Sequence, residues 1–241
     1  MIPKKIHYIW FGAEKPDFVK KCIRSWEKLG YEIFEWNEKN YDINKSQFLK
    51  YTYENKIYGF LSDYIRFDVL YNFGGIYIDT DVKIMKKLPD DMLDTDVLMG
   101  FQFDCLLGTH FIGTKEKSLF IKAFLNKYDN YKSGEQLIVS NHVFNDFFLN
   151  NIPDFKLNGE NQICRFSNEK ITIYNKNYFG CPKLFGDGYA YHLLDNSWRK
   201  KKYANAKNIL KNIIGDKLYY NLVAYKALKI SPYYKKYKDY F

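Results

Sequence analysis

Two carboxylates one residue apart, Asp79 and Asp81, close the stretch SDYIRFDVLYNFGGIYIDTDV at residues 62–82. Carboxylates are hard oxygen donors, and such a pair suits Mg²⁺ or Mn²⁺ with phosphate oxygens completing the shell. An isolated Asp-x-Asp on a loop is ordinarily a solvated acidic turn. Here the residues before it argue for placement. Ile65, Val69, Leu70 and Phe73 keep helical spacing, with Ser62 near the start and Gly74 after the end. Gly74-Gly75 permits a tight turn, and Ile76–Ile78 reads as a short strand. The spacing predicts an amphipathic helix over 61–73 and a strand that carries both carboxylates to its carboxyl end, the edge where open α/β sheets bind ligands. If the chain stays extended through Thr80, the two-residue period puts both carboxylates on one side. Asp63 and Arg66 are three apart and share a helix face. The arrangement reads as an enzyme that handles a diphosphate ester.

The flanking elements alternate. Lys5–Phe11 reads as a strand with a tight exit at Gly12, and Pro16–Leu29 as a helix with Pro near its first turn and Gly30 just past its end. Tyr31–Trp36 alternates like a strand, and 45–58 reads as a helix. Strand, helix, strand, helix, helix, strand within about 80 residues implies an α/β fold with a largely parallel sheet. Further on, Val97–Phe103, Thr109–Gly113, Ile171–Tyr174 and Tyr189–Leu194 read as strands, and Leu119–Tyr128 and Glu135–Phe148 as helices. There is no internal repeat and no Pro- or Ser-rich linker.

Composition bounds the class. The 241 residues are 20% aromatic, ample for a packed core and unlike a disordered chain. Cys22, Cys105, Cys164 and Cys181 are widely spaced, with no CxxC, and are expected as buried free thiols. No apolar run of 18 residues occurs, and MIPKKIHYIWFG enters a strand without a signal-peptide core. A cytoplasmic protein is expected.

Three segments together resemble the DXD-containing sugar transferases of glycosyltransferase family 32, which includes yeast mannosyltransferases and bacterial capsule and lipopolysaccharide enzymes. These are SDYIRFDVLYNFGGIYIDTDV, IHYIWFG near the N-terminus and HLLDNSW at 192–198. The glucosylating domains of large clostridial toxins share the pattern. The resemblance covers most of residues 1–198 and implies a GT-A type nucleotide-sugar-binding fold and a metal-dependent retaining transferase. By that resemblance Trp10 would stack on the nucleobase. Asp63, Arg66, Ser62 and Tyr77 would serve the donor's sugar and diphosphate. Asp81 would bind Mn²⁺ or Mg²⁺ directly, and Asp79 would hold the ribose or sugar side or reach the metal through water. Ser197 and Trp198 would close over the pyrophosphate. The toxins place a Glu where this chain has Leu194, so His192 or Asp195 is the candidate third metal ligand. Asp104 is a weak candidate for a second carboxylate, and His7, His110 and His142 are expected to be structural. The implied donor is a UDP-sugar, with a GDP-sugar open, and the acceptor a glycan or lipid-linked sugar of bacterial surface polysaccharide. The alternatives are a toxin-like protein glycosyltransferase, a non-transferring nucleotide-sugar-binding protein and a metal-dependent phosphohydrolase.

The net charge of +9 is unevenly spread. Residues 199–241 hold twelve Lys and Arg against two acidic residues, and residues 1–198 are near neutral. The chain therefore divides into a catalytic domain at 1–198 and a basic C-terminal helical extension at 199–241. From Tyr203 to Ile230 apolar residues recur near helical spacing among lysines and tyrosines, which suits peripheral attachment to an anionic membrane surface. Nucleic acid is not expected, because the basic charge is confined to this segment and no binding motif accompanies it.

Overall fold

The computed structural model describes residues 1–131, 137, 140–186, 188–194 and 204–240. The chain runs β1 (Lys5–Ile9), α1 (Asp17–Glu27), β2 (Glu32–Trp36), α2 (Gln47–Glu54), α3 (Tyr58–Phe73), β3 (Gly75–Ile78), β4 (Val82–Ile84), β5 (Val97–Phe103) and β6 (Leu106–Thr114). It continues with α4 (Leu119–Asp129), α5 (Ser140–Asn151), β7 (Gln162–Phe166), β8 (Glu169–Tyr174), α6 (Lys176–Phe179) and β9 (Ala190–His192). Three helices end it: α7 (Ala204–Ile214), α8 (Asp216–Ile230) and α9 (Tyr234–Lys238).

A seven-stranded sheet in the order β2-β1-β3-β6-β5-β8-β7 forms the centre. β2, β1 and β3 are mutually parallel, β6 is antiparallel to both its neighbours, β5 and β8 are parallel, and β7 is antiparallel at the edge. Five of the seven strands therefore point one way, as the expected α/β class requires. A second ribbon pairs β4 with β9.

Alternation along the strands feeds two cores. Tyr77, Val97, Met99, Phe101, Ile112, Ile171 and Ile173 face the layer of α2, α3, α4 and α5, and Ile6, Tyr8, Ile76, Ile78, Leu98 and Phe111 face α1 and the β4–β9 ribbon. The four cysteines are buried and free. Burial pushes the thiols of Cys164 and Cys181 up to about 11 and about 12, so neither is a thiolate at neutral pH.

Several expectations are corrected. The helix expected over 61–73 begins at Tyr58, so Ser62 lies in its second turn and does not cap it. Nor is that helix amphipathic. Leu61 and every residue from Asp63 to Leu70 are buried, because β1 and β6 lie on one side of it and α2 and α4 on the other. Its buried polar residues are paired, Asp63 with Arg66 and Asp68 with Tyr41 and Lys45. The helix expected from Glu135 starts at Ser140, and most of the stretch before it lies outside the described residues. The short β4, β7 and α6 were not foreseen. The C-terminal stripe is broken at Gly215, whose φ of +78° suits glycine, into α7 and α8.

Candidate active site at the carboxyl edge of the sheet

Because β2, β1 and β3 are parallel, the residues that follow them share one edge: Asn37–Lys39, Trp10–Lys15 and Asp79–Asp81. The helix-to-strand turn that feeds β3 is tightly set. Gly74 and Gly75 have φ of +58° and +93°, and a Cβ on Gly75 would meet the Lys5 carbonyl oxygen at 2.8 Å. His7 locks the same turn, its Nε2–H donating to the Gly74 carbonyl at 3.0 Å while Trp36 Nε1–H donates to its Nδ1 at 3.2 Å. Burial pushes this imidazole down to about 4, so it is neutral, and its place is structural as expected.

After Ile78 the chain does not stay extended. The Val82 amide donates to the Asp79 carbonyl at 3.0 Å, closing a turn over Thr80 and Asp81. The two carboxylates are therefore brought together by a turn and not by strand alternation, which corrects the geometric expectation. Asp79 is fixed by β6, its amide donating to the His110 carbonyl at 2.9 Å. Asp81 is fixed by the ribbon that starts at the next residue. Val82 pairs with His192 in register, and the Leu193 amide donates to the Asp81 carbonyl at 2.8 Å.

That pairing places His192 Nε2 2.9 Å from Asp81 Oδ1. Burial disfavours the imidazolium, but the adjacent Asp81 carboxylate outweighs it and raises the ring's pKa. Asp79, Asp81 and His192 each offer one ligand atom, all within 4.8 Å of one another. Two carboxylate oxygens and an imidazole nitrogen at that spacing fit a divalent cation. Among the described residues this is the one cluster with such spacing.

Beside it lies a buried arginine. Arg66 Nη2 is 2.9 Å from Asp63 Oδ1 and 3.5 Å from Asp79 Oδ1, and its Nη1–H donates to the Thr109 carbonyl at 2.7 Å. Its Cζ sits 4.7 Å from the centre of the Tyr77 ring. Burial pushes the Asp63 carboxyl up to about 6, against the pull of Arg66 and the hydrogen bonds from Ser140 at the start of α5. Burial first, then the Asp79 charge, holds the Tyr77 phenol well above its ordinary value, so it stays protonated and donates to Asp79 Oδ1 at 2.6 Å. Ser62 supports the same group: its Oγ accepts from Arg66 Nη2 at 3.2 Å.

Sequence reasoning missed a polar chain on the far side. Gln102 Nε2 lies 3.5 Å from His192 Nδ1, Asn141 Nδ2 donates to Gln102 Oε1, and Thr109 Oγ1 donates to Asn141 Oδ1 at 2.6 Å. His110 stacks on His192 with ring centres 4.6 Å apart. These residues come from β5, β6 and α5, and only the tertiary fold unites them with the aspartates. Asp104 is elsewhere engaged, its carboxylate paired with Lys176.

Trp10 follows β1 with its Nε1–H donating to the Ala13 carbonyl at 2.6 Å. It lines an open groove of about 350 Å³ with Gly12, Lys15, Asn37, Glu38 and Lys39. His142 lies on α5 against Tyr233. Asp195, Ser197 and Trp198 lie outside the described residues.

Residues 16–99 match the family described as glycosyltransferase sugar-binding region containing DXD motif. Among characterised proteins, the chain is similar to Subversion of eukaryotic traffic protein A of Legionella pneumophila, 27% identical over 120 residues. That match covers 38% of this chain and 19% of the Legionella protein, so this chain corresponds to about a fifth of that relative's length. Among solved structures, PaToxG glycosyltransferase superposes with a TM-score of 0.48 at 17% identity, over 62% of this chain and 69% of that one. A glycosyltransferase involved in glycosylation of the major capsid of PBCV-1 superposes with a TM-score of 0.44 at 10% identity, over 79% and 94%. The strand-end aspartates and the buried Asp63–Arg66 pair all fall within residues 16–99, the part of the chain that is similar to a glycosyltransferase sugar-binding region containing a DXD motif.

Proposed function

We propose that the chain is a divalent-metal-dependent, retaining transferase of the family 32 kind. It moves a sugar from a nucleotide-sugar, a UDP-sugar foremost, to a glycan or lipid-linked acceptor of bacterial surface polysaccharide. The observation that carries the reading is the convergence of Asp79, Asp81 and His192 beside Arg66. A bound Mn²⁺ or Mg²⁺ would supply Lewis-acid neutralisation of charge growing on the departing diphosphate. An imidazole in the ligand set favours Mn²⁺ over Mg²⁺, which prefers an all-oxygen shell.

The chain's own residues do the rest. Asp63 and Asp79 both pair with Arg66 through Nη2, so its charge needs no reorientation when the donor arrives. Tyr77 donates to Asp79 and holds its carboxylate in place. Such preorganised electrostatics is usually the largest catalytic contribution, and one donor is typically worth about 2.7–4 kcal/mol of barrier. Trp10 offers an aromatic face for the base in the groove beside β1. A phosphohydrolase could work with the carboxylates alone. A buried Asp63–Arg66 pair is costly to desolvate, and recognition of sugar and diphosphate accounts for its presence. A second reading is a protein acceptor, which would use the same donor site.

Thermal unfolding with UDP- and GDP-sugars, each with and without Mn²⁺, tests the reading, since a ligand bound only to the native state raises the midpoint. A shift with one nucleotide series that requires metal supports it. Folded protein that shifts with no donor refutes it.

A further inference from the structure

Helix α8 has two apolar faces. Tyr220, Ala224 and Leu228, four apart, are buried on the body: Ala224 against Phe103 and Cys181, Leu228 in the main core. Rotated around the same helix, Leu218, Leu222 and Tyr225 form a second stripe that is exposed. Helix α7 adds exposed Ile209, Leu210 and Ile213, the last 75% exposed. One face suffices to seat a helix on a core, so the second serves something else.

A piece of the body joins this surface. The loop 182–186 carries Leu184 and Phe185, and Phe185 is 92% exposed. The loop is tied to α8 by Lys217 Nζ donating to the Gly186 carbonyl at 2.8 Å and Asn221 Nδ2 donating to the Pro182 carbonyl at 3.0 Å. Charge completes the description. Lys183 lies in the loop, and Lys217, Lys226 and Lys229 are exposed on α8, with Lys235, Lys236 and Lys238 on α9. Across α7 and α8 the sole acidic residue is Asp216.

We propose that α7, the outer face of α8 and the Leu184–Phe185 loop together form a docking surface for an anionic lipid bilayer. The apolar side chains enter the headgroup boundary and the lysines meet lipid phosphates, as for amphipathic interfacial helices. A second copy of the chain fits poorly, because a two-fold contact through this face sets lysines against lysines. The surface lies outside the Asp79–Asp81–His192 cluster, so its failure leaves the proposed donor reaction standing.

The test is co-sedimentation of the full chain with vesicles of phosphatidylcholine mixed with phosphatidylglycerol, and of phosphatidylcholine alone. Binding is expected to the mixed vesicles at low salt, to weaken at high salt and to be slight without the anionic lipid. Leu184→Ser/Phe185→Ser and Ile213→Ser/Leu222→Ser should each weaken binding by about tenfold or more. Both pairs are exposed, so the unfolding midpoint should stay at the wild-type value. Undiminished binding by the loop variant, no binding by the wild type, or a dimer in sedimentation equilibrium that these variants split would each overturn the proposal.

Discussion

Acidification below about pH 6.5 should loosen this fold through His7. The ring is 1% exposed and wedged between Phe34 and the Gly74 carbonyl. Its Nδ1 accepts from the Trp36 indole N–H, so a proton there would set donor against donor. Burial, reinforced by the Lys5 charge and opposed by the Gly74 hydrogen bond, lowers its pKa from 6.5 to about 4. The unfolded chain therefore binds the proton more readily. The stability from a neutral His7 is fully present above about pH 6.5, falls as pH drops and levels near pH 4. A shift of that size corresponds to about 3 kcal/mol, of which about 2 kcal/mol is lost between pH 7 and pH 5. Urea unfolding from pH 4 to pH 7.5, wild type against His7→Gln, isolates the effect. Buried His110, lowered well below its ordinary value, adds loss of the same sign, and His192, whose pKa is raised, acts oppositely. Both are present in each protein and cancel in the difference. The wild-type advantage over His7→Gln should shrink by about 3 kcal/mol across the range. A constant difference would refute the reasoning.

Other perturbations give separate readings. Asp81→Asn should abolish the Mn²⁺-dependent rise in unfolding midpoint with donor while leaving the metal-free midpoint close to wild type; a retained rise would remove Asp81 from the ligand set. Tyr77→Phe deletes the 2.6 Å bond to Asp79 and should weaken donor–metal binding by about 1 kcal/mol, checked by titration calorimetry, with affinity at the wild-type value counting against a positioning role. Glu169 is buried and accepts from Ser118 Oγ and from the Leu119 and Phe120 amides at the start of α4. Glu169→Ala should cost about 2–3 kcal/mol in urea unfolding, and a loss under about 0.5 kcal/mol would contradict that account. Gly75→Ala forces a Cβ to within 2.8 Å of a backbone oxygen at φ +93° and should cost about 1–3 kcal/mol or more, with Tm at the wild-type value the contrary result.

The first 80 residues were legible because each element carries its own punctuation. Pro16 and Gly30 bracket α1, Gly74 ends α3, and Ile76–Ile78 is too short and apolar to be anything but a buried strand. The DXD pair and the Asp63–Arg66 spacing could be read because they sit on or beside those elements, and His192 because HLLDNSW at 192–198 resembles a family motif. What was lost depends on distance along the chain. β4 is three residues long and has no signal apart from its partner β9. The helical stripe of α3 looked one-sided because Asp63, Arg66 and Asp68 are polar, yet all three are buried. Polarity there is buried and paired, Asp63 with Arg66 and Asp68 with Tyr41 and Lys45, and is not a solvated face. Gln102, Thr109 and Asn141 are ordinary residues until the fold sets them around His192.

The β4–β9 ribbon has a consequence for how the protein is made. Asp81 and His192 are 111 residues apart, and their contact needs the ribbon that joins them. As the chain leaves the ribosome, the aspartates emerge long before their histidine. A nascent or truncated chain ending short of 192 holds an arginine and two carboxylates but not the third side chain. The cluster therefore works as a completion mark, assembled only after the whole central sheet has been synthesised.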